Sequence, residues 1–135
     1  MSKALPLAAL ACLAAFAAGC RSDQGPVSGE LSVRLTTPRV GDRGIQFVVI
    51  GPAQAVSAPT GSGYRVFSDA ASGADTTHVV VVAPAGTGLV AGDVARIAVS
   101  DTRQVRSYTA AVVALAAPNY SLADTTGVSL SVVRP

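Results

Sequence analysis

Apolar and polar residues alternate along the chain from residue 31 onward, and this alternation predicts β-strands. Over residues 31–36 every second side chain is apolar, the period that places apolar groups on one face of a strand. Residues 128–133 repeat this pattern near the end of the chain. Between them, residues 45–50 form a mostly apolar run that ends at Gly51-Pro52. A run of this kind predicts a central strand that is packed on both faces.

Seven segments of this type are separated by turns rich in Gly, Pro and Asp. They are residues 31–36, 45–50, 63–68, 76–83, 94–99, 105–116 and 128–133. Short strands at such spacing predict an all-β domain over residues 30–135, a single antiparallel β-sandwich of about seven strands, Ig-like or cohesin-like. We expect Val33 and Phe47 in its core, and the last strand beside the first.

Residues 105–117 are the one segment in which a helix competes with a strand. Alanines in the segment favour a helix, whereas its valines, Tyr108 and Thr109 favour a strand. No N-cap with a matching acidic residue precedes it, and Pro118 ends it in either case. We therefore predict a strand here and no helix elsewhere in the domain.

The first part of the chain has the layout of a signal peptide. Lys3 supplies a positive charge, residues 5–18 are apolar apart from Pro6, and Ala17-Ala18-Gly19 are small residues directly before Cys20. A membrane span needs about 20 apolar residues, and this run is shorter. The layout favours a cleaved signal over a membrane-spanning helix.

Ala17-Ala18-Gly19-Cys20 resembles the lipobox of bacterial lipoproteins, in which the cysteine becomes the lipidated first residue of the mature protein. The family usually has Leu where this chain has Ala17. The resemblance implies a signal peptide over residues 1–19, a lipidated Cys20 with a flexible tether over residues 20–29, and the β-domain thereafter. A cleaved secretory signal with an incidental cysteine is the alternative. Arg21, which stands where enteric inner-membrane lipoproteins often carry Asp, implies anchoring in the outer membrane, on its periplasmic or surface side.

The charge and cysteine content of the chain exclude several classes of protein. The second cysteine, Cys12, lies inside the predicted signal, so the mature chain has no pair of thiols for an intramolecular disulfide. The chain has 10 Lys and Arg residues, of which Lys3 is the sole lysine, and 8 acidic residues. The arginines are scattered and do not form the basic patch of a nucleic-acid-binding protein. We expect no nucleic-acid partner.

The sequence contains little that supports catalysis or metal binding. His78 is the single histidine, which leaves no zinc site of the usual type, and no serine stands in a nucleophile-elbow motif. Six aspartates fall at predicted turns, where side-chain hydrogen bonds to the backbone explain their placement better than calcium does. They are Asp42, Asp69, Asp75, Asp93, Asp101 and Asp124. We expect a non-enzymatic protein without cofactor or metal.

Residues 31–35, 44–47 and 89–97 resemble segments of cohesin-like and carbohydrate-binding-module sandwiches. This resemblance covers most of residues 30–133 and implies a dockerin-like protein partner or a polysaccharide. Tyr64, Tyr108 and Tyr120 are the weak candidates for stacking on sugar rings, and the chain has no tryptophan.

Two functions remain open at this point. The first is a surface-anchored binding module for a glycan or a protein, which a coplanar set of exposed tyrosines would favour. The second is a structural accessory lipoprotein of an envelope assembly with no small-molecule ligand, which an exposed apolar patch would favour.

We expect the change Cys20→Ala to release the protein from membranes, because the lipid on Cys20 would be its hydrophobic attachment. Membrane fractionation measures the release, and Cys12→Ala is the matched control that should stay anchored. Mass spectrometry of the mature N-terminus decides the modification. An unmodified terminus at or near Cys20 would contradict lipidation and leave secretion intact.

Overall fold

The computed structural model describes residues 25–70 and 74–135. The predicted signal peptide, Cys20 and the first part of the predicted tether lie outside the described residues. The described residues contain nine strands: β1 (Gly29–Thr36), β2 (Gly44–Ile50), β3 (Ala55–Ser57), β4 (Arg65–Ser68), β5 (Thr76–Val82), β6 (Gly92–Val99), β7 (Thr109–Ala116), β8 (Leu122–Ala123) and β9 (Ser129–Val133).

The strands form two antiparallel sheets. The four-stranded sheet has the order β3-β6-β1-β9, and the five-stranded sheet has the order β4-β5-β2-β7-β8. The last strand, β9, pairs with β1, as the sequence predicts. In the five-stranded sheet, β2 is central and pairs along its full length with β5 and β7.

Both sheets contribute apolar side chains to one buried cluster. Phe47 from β2 and Val33 from β1 are fully buried in it, which confirms the core prediction for both residues. The burial of Ile45, Phe47 and Val49 along β2 follows the two-residue period of a strand. One face of each sheet therefore forms the core.

All seven predicted strand segments contain a strand of the structure, so the all-β prediction is confirmed. The two strands that the sequence did not reveal, β3 and β8, have 3 and 2 residues. Strands of that length do not show a periodic pattern.

The predicted strand over residues 105–116 is wrong at its start, because residues 105–107 belong to a 3-10 helix (Thr102–Ser107). Asp101 caps this helix, with its side chain accepting a hydrogen bond from the Arg103 backbone nitrogen. That local bond stabilises the first turn without an apolar pattern. The strand begins at Thr109, so the helix alternative is also wrong for the rest of the segment. No other helix is present in the part of the chain that the structure describes, and none there is long and apolar enough to cross a bilayer.

The prediction that residues 45–50 pack on both faces is wrong for one face. Val48 is only half-buried and Ile50 is exposed. Within the described residues, no element of the fold covers this second face. The run therefore marks a central strand whose uncovered face carries the apolar Val48 and Ile50 beside the polar Gln46.

We expect Phe47→Ala to lower the free energy of unfolding by about 3–5 kcal/mol, the usual cost of emptying a buried aromatic site. Val48→Ala, one residue along on the opposite face, is the matched control and should cost much less. Chemical denaturation of both variants measures the difference. Equal losses would show that the register of β2 is wrong.

Candidate functional site

The outward side of the five-stranded sheet carries more apolar than polar side chains. Strand pairing places the following apolar residues on one side, which we call the apolar face: Val48, Ile50, Phe67, Val80, Val82, Ala111, Ala114, Ala116 and Leu122. The polar side chains on the same side are Gln46, Arg65, Thr76, His78 and Thr109. Several of the apolar side chains are well exposed, with Ile50 at 46%, Phe67 at 58% and Leu122 at 85%. Exposed apolar patches of roughly 300–600 Å² on soluble domains are often functional.

A concave pocket of about 280 Å³ opens on this face above Gly44. Gly44 pairs with Val82 on one side and Ala116 on the other. Because glycine has no side chain, this row of the sheet has a gap in its middle. Tyr120 and Leu122 line the pocket together with these residues.

Tyr120 stands beside the pocket in a left-handed backbone conformation. Its φ of 64° is rare for a residue with a side chain. A turn holds it, in which the Tyr120 nitrogen donates to the Ala117 oxygen at 2.8 Å and the Ala117 nitrogen donates to the Ser121 oxygen at 2.8 Å. This turn presents the ring to solvent, where it is 65% exposed.

Arg43 forms the cationic side of the pocket. Its Nε donates to the Pro118 carbonyl oxygen at 3.3 Å, and its Nη1 donates to the Thr87 carbonyl oxygen. The guanidinium carbon lies 5.9 Å from the centroid of the Tyr120 ring, within the range of a cation–π contact. These contacts fix a positive charge at this end of the apolar face.

The charges around the apolar face are separated by sign along the strands. Arg43 directly precedes Gly44, and Arg65 pairs with Val82 in the same row. At the other end, Asp69 follows β4 and Asp75 precedes β5. One end of the face is therefore basic and the other is acidic.

The outward side of the four-stranded sheet is polar. Its outward residues include Glu30, Arg34, Asp93, Arg96 and Ser131. Arg34 and Asp93 form an ion pair with 3.0 Å between Nε and Oδ1. The contrast makes the apolar face a local property of one sheet, not of the whole surface.

The structure separates the three tyrosines that the sequence suggested for sugar stacking. Tyr108 is 6% exposed and donates from its hydroxyl to the Pro52 oxygen at 2.7 Å, and burial raises its pKa. Its ring lies against Gly51, where an added Cβ would come within 2.5 Å of it. Tyr64 is half-buried, packs against the core, and accepts a hydrogen bond from the Val90 nitrogen. Of the three, Tyr120 alone is exposed.

His78 lies on the outward side of β5 and is paired with Asp69. The His78 backbone nitrogen donates to Asp69 Oδ1 at 2.6 Å, and the ring Nδ1 lies 2.9 Å from Oδ2. The backbone hydrogen bond, followed by the bond from the ring, holds the pKa of Asp69 below its usual value. Both side chains are exposed. The pair joins the end of β4 to the neighbouring strand β5, which is a local structural contact.

Most of the turn aspartates bond to neighbouring groups. Asp124 accepts hydrogen bonds from the nitrogen and hydroxyl of Thr126, which lower its pKa. Asp101 binds the Arg103 side chain, which is the main reason that its pKa falls to about 2. Asp42 pairs with Arg39 at 2.9 Å. The described residues contain no group of three or more metal-ligating side chains of His, Cys, Asp or Glu.

Comparisons of the chain with protein-family models, with curated proteins and with solved structures found no match.

Sequence reasoning missed the apolar face. The signal was present in β2 and β5, where apolar residues occupy both alternating sets of positions, such as Phe47 with Val48 and Val79 with Val80. This pattern is shared by strands buried on two sides and strands with one uncovered apolar side.

We expect His78→Ala to change thermal stability less than Phe47→Ala does, because its side chain is exposed. The Asp69 pKa should rise in this variant but stay below its ordinary value, since the backbone donor remains. Where the lowered Asp69 pKa adds stability, that contribution is present above the ordinary pKa of Asp and is lost as pH falls through the lowered value. NMR titration of the Asp69 carboxyl measures the shift.

A hydrolytic activity abolished by His78→Ala would overturn the non-enzyme prediction.

Proposed function

We propose that this chain is an envelope lipoprotein, anchored in the outer membrane through Cys20, whose β-domain is a non-catalytic protein-interaction module. The resemblance of Ala17-Ala18-Gly19-Cys20 to a lipobox supports the anchor. The apolar face supports the module, and it is the single observation on which this function rests.

The interaction follows from the hydration of apolar side chains. Each Å² of apolar surface removed from water contributes roughly 25 cal/mol. Phe67 and Leu122 keep 58% and 85% of their surface in water after folding, and a partner that covers them gains this free energy on binding. The partner is therefore a protein that presents an apolar surface.

A protein partner is better supported than a glycan. Sugar binding by stacking uses aromatic rings that share one exposed surface, and Tyr108 and Tyr64 are held in other environments. Tyr120 remains as one aromatic side chain at the edge of a protein-binding surface.

The proposal extends to the type of fold. We place the domain among antiparallel β-sandwiches of the Ig-like or cohesin-like type. The single core to which both sheets contribute supports the sandwich arrangement. The strand spacing and the weak cohesin-like resemblance support the type.

The second candidate, a structural accessory lipoprotein without a small-molecule ligand, is favoured by the same apolar face. The two candidates differ in the lifetime of the complex. A binding module exchanges its partner, whereas a structural accessory protein stays in one stable assembly.

We expect Leu122→Glu to abolish face-dependent capture of an envelope protein, because it places a charge in the apolar pocket. Residues 22–135 contain every strand of both sheets and serve as the bait. Val40→Glu is the matched control, since Val40 and Leu122 are both 85% exposed and Val40 lies off the apolar face. Proteins retained by the wild type and the control but lost with Leu122→Glu support the proposal. Identical capture by all three baits would contradict it.

A further inference from the structure

We propose, building on the interaction module above, that the protein surface covering the apolar face is a second copy of this chain. The two copies pack face to face about a two-fold axis. This axis runs parallel to the interface, perpendicular to the strands, and crosses β2 at the level of Phe47.

Strand β2 carries an apolar projection and a matching recess on its outward side. Ile50 is the projection, exposed at the end of the strand. Gly44 is the recess, at the floor of the pocket of about 280 Å³. Both residues are even-numbered positions of β2, which face outward, and Phe47 lies midway between them along the strand.

The proposed axis brings each projection onto a recess. Rotation about an axis perpendicular to the strands reverses the direction of β2, so Ile50 of each copy lies over Gly44 of the other. Both contacts are equivalent, as a two-fold interface requires. An axis parallel to the strands would place Ile50 against Ile50 and leave both pockets empty.

The charges at the ends of the apolar face favour the same axis. The basic end with Arg43 and Arg65 then lies opposite the acidic end with Asp69 and Asp75. Oppositely charged ends fix the orientation of two partners more than they add affinity. The parallel axis would place like charges together.

The size of the apolar face predicts a weak dimer. Five strands about 4.8 Å apart, with β2 paired to each neighbour over seven residues, give a face of about 19 by 20 Å, or roughly 400 Å² in projection. Stable interfaces bury about 800 Å² on each partner. Anchoring two copies in one membrane would raise their effective concentration and favour the dimer.

The first experiment is sedimentation velocity of residues 22–135 over a range from about 1 µM to about 1 mM, spanning the affinities of weak complexes. We expect a concentration-dependent monomer–dimer equilibrium. Ile50→Glu should weaken it at least tenfold, because each copy would place a carboxylate in the apolar pocket of the other. Val40→Glu should leave it unchanged. A monomer at every concentration, or equal weakening by both changes, would overturn the dimer.

The second experiment tests the axis without a change to a large apolar residue. Gln46 is exposed, lies on the outward side of β2 next to the proposed axis, and residues 22–135 contain no cysteine. A short thiol cross-linker should join two copies of Gln46→Cys in high yield. Ser131→Cys, exposed on the outward side of the four-stranded sheet, is the control and should give only background cross-linking. Equal yields would contradict the proposed interface.

The two proposals fail in different ways. If the protein is monomeric but the Leu122→Glu variant still fails to capture an envelope protein that the wild type captures, the dimer is wrong and the interaction module is retained. Self-association that is insensitive to both Ile50→Glu and Leu122→Glu would overturn the role of the apolar face in both proposals.

Discussion

Burial of one side of β2 is the constraint on which the described structure depends. This strand pairs on both edges, and its odd-numbered side chains enter the core that the two sheets share. Phe47 is the largest fully buried side chain of that core. With these side chains committed to the interior, the even-numbered ones must point outward, whatever their polarity. The apolar face is therefore a direct consequence of an apolar strand that is covered on one side.

The sequence predicted the β-strands well because their period of two is a strong signal over six or more residues. It missed β3 and β8, whose pairing depends on neighbouring strands more than on their own composition. It also missed the 3-10 helix after Asp101, since one capping side chain and local hydrogen bonds determine that helix. For residues 45–50 the pattern gave the central position correctly but not the number of covered faces. Coverage is a property of the other elements, which a single segment does not encode.

For the candidate site too, the sequence shows which residues are present but not the environment that the fold gives each of them. Tyr64, Tyr108 and Tyr120 look alike in the sequence, yet the structure gives them three different environments. Tyr64 packs against the core, Tyr108 donates a hydrogen bond to a carbonyl oxygen, and Tyr120 lies in a left-handed turn. The separation of Arg43 and Arg65 from Asp69 and Asp75 is also hidden in the sequence, where the arginines are scattered. It arises only when antiparallel pairing brings the start of one strand beside the end of the next. Polar residues on the outward side of the four-stranded sheet complete a domain with two chemically different surfaces.

The apolar outward side of β2 also weakens the specification of its own strand register. In most strands a shift by one residue exchanges apolar for polar side chains in the core and is strongly disfavoured. A shifted β2 would bury the apolar Val48 and Ile50 together with Gln46, so polarity penalises the error through one side chain instead of several. Correct pairing then depends on shape: the volume of Phe47, the bulge in the pairing with β7 between Gln46 and Phe47, and the close fit of Gly44 against the Val81 carbonyl. When a central strand also forms an interface, its register is therefore specified more by side-chain packing and less by the alternation of polar and apolar residues.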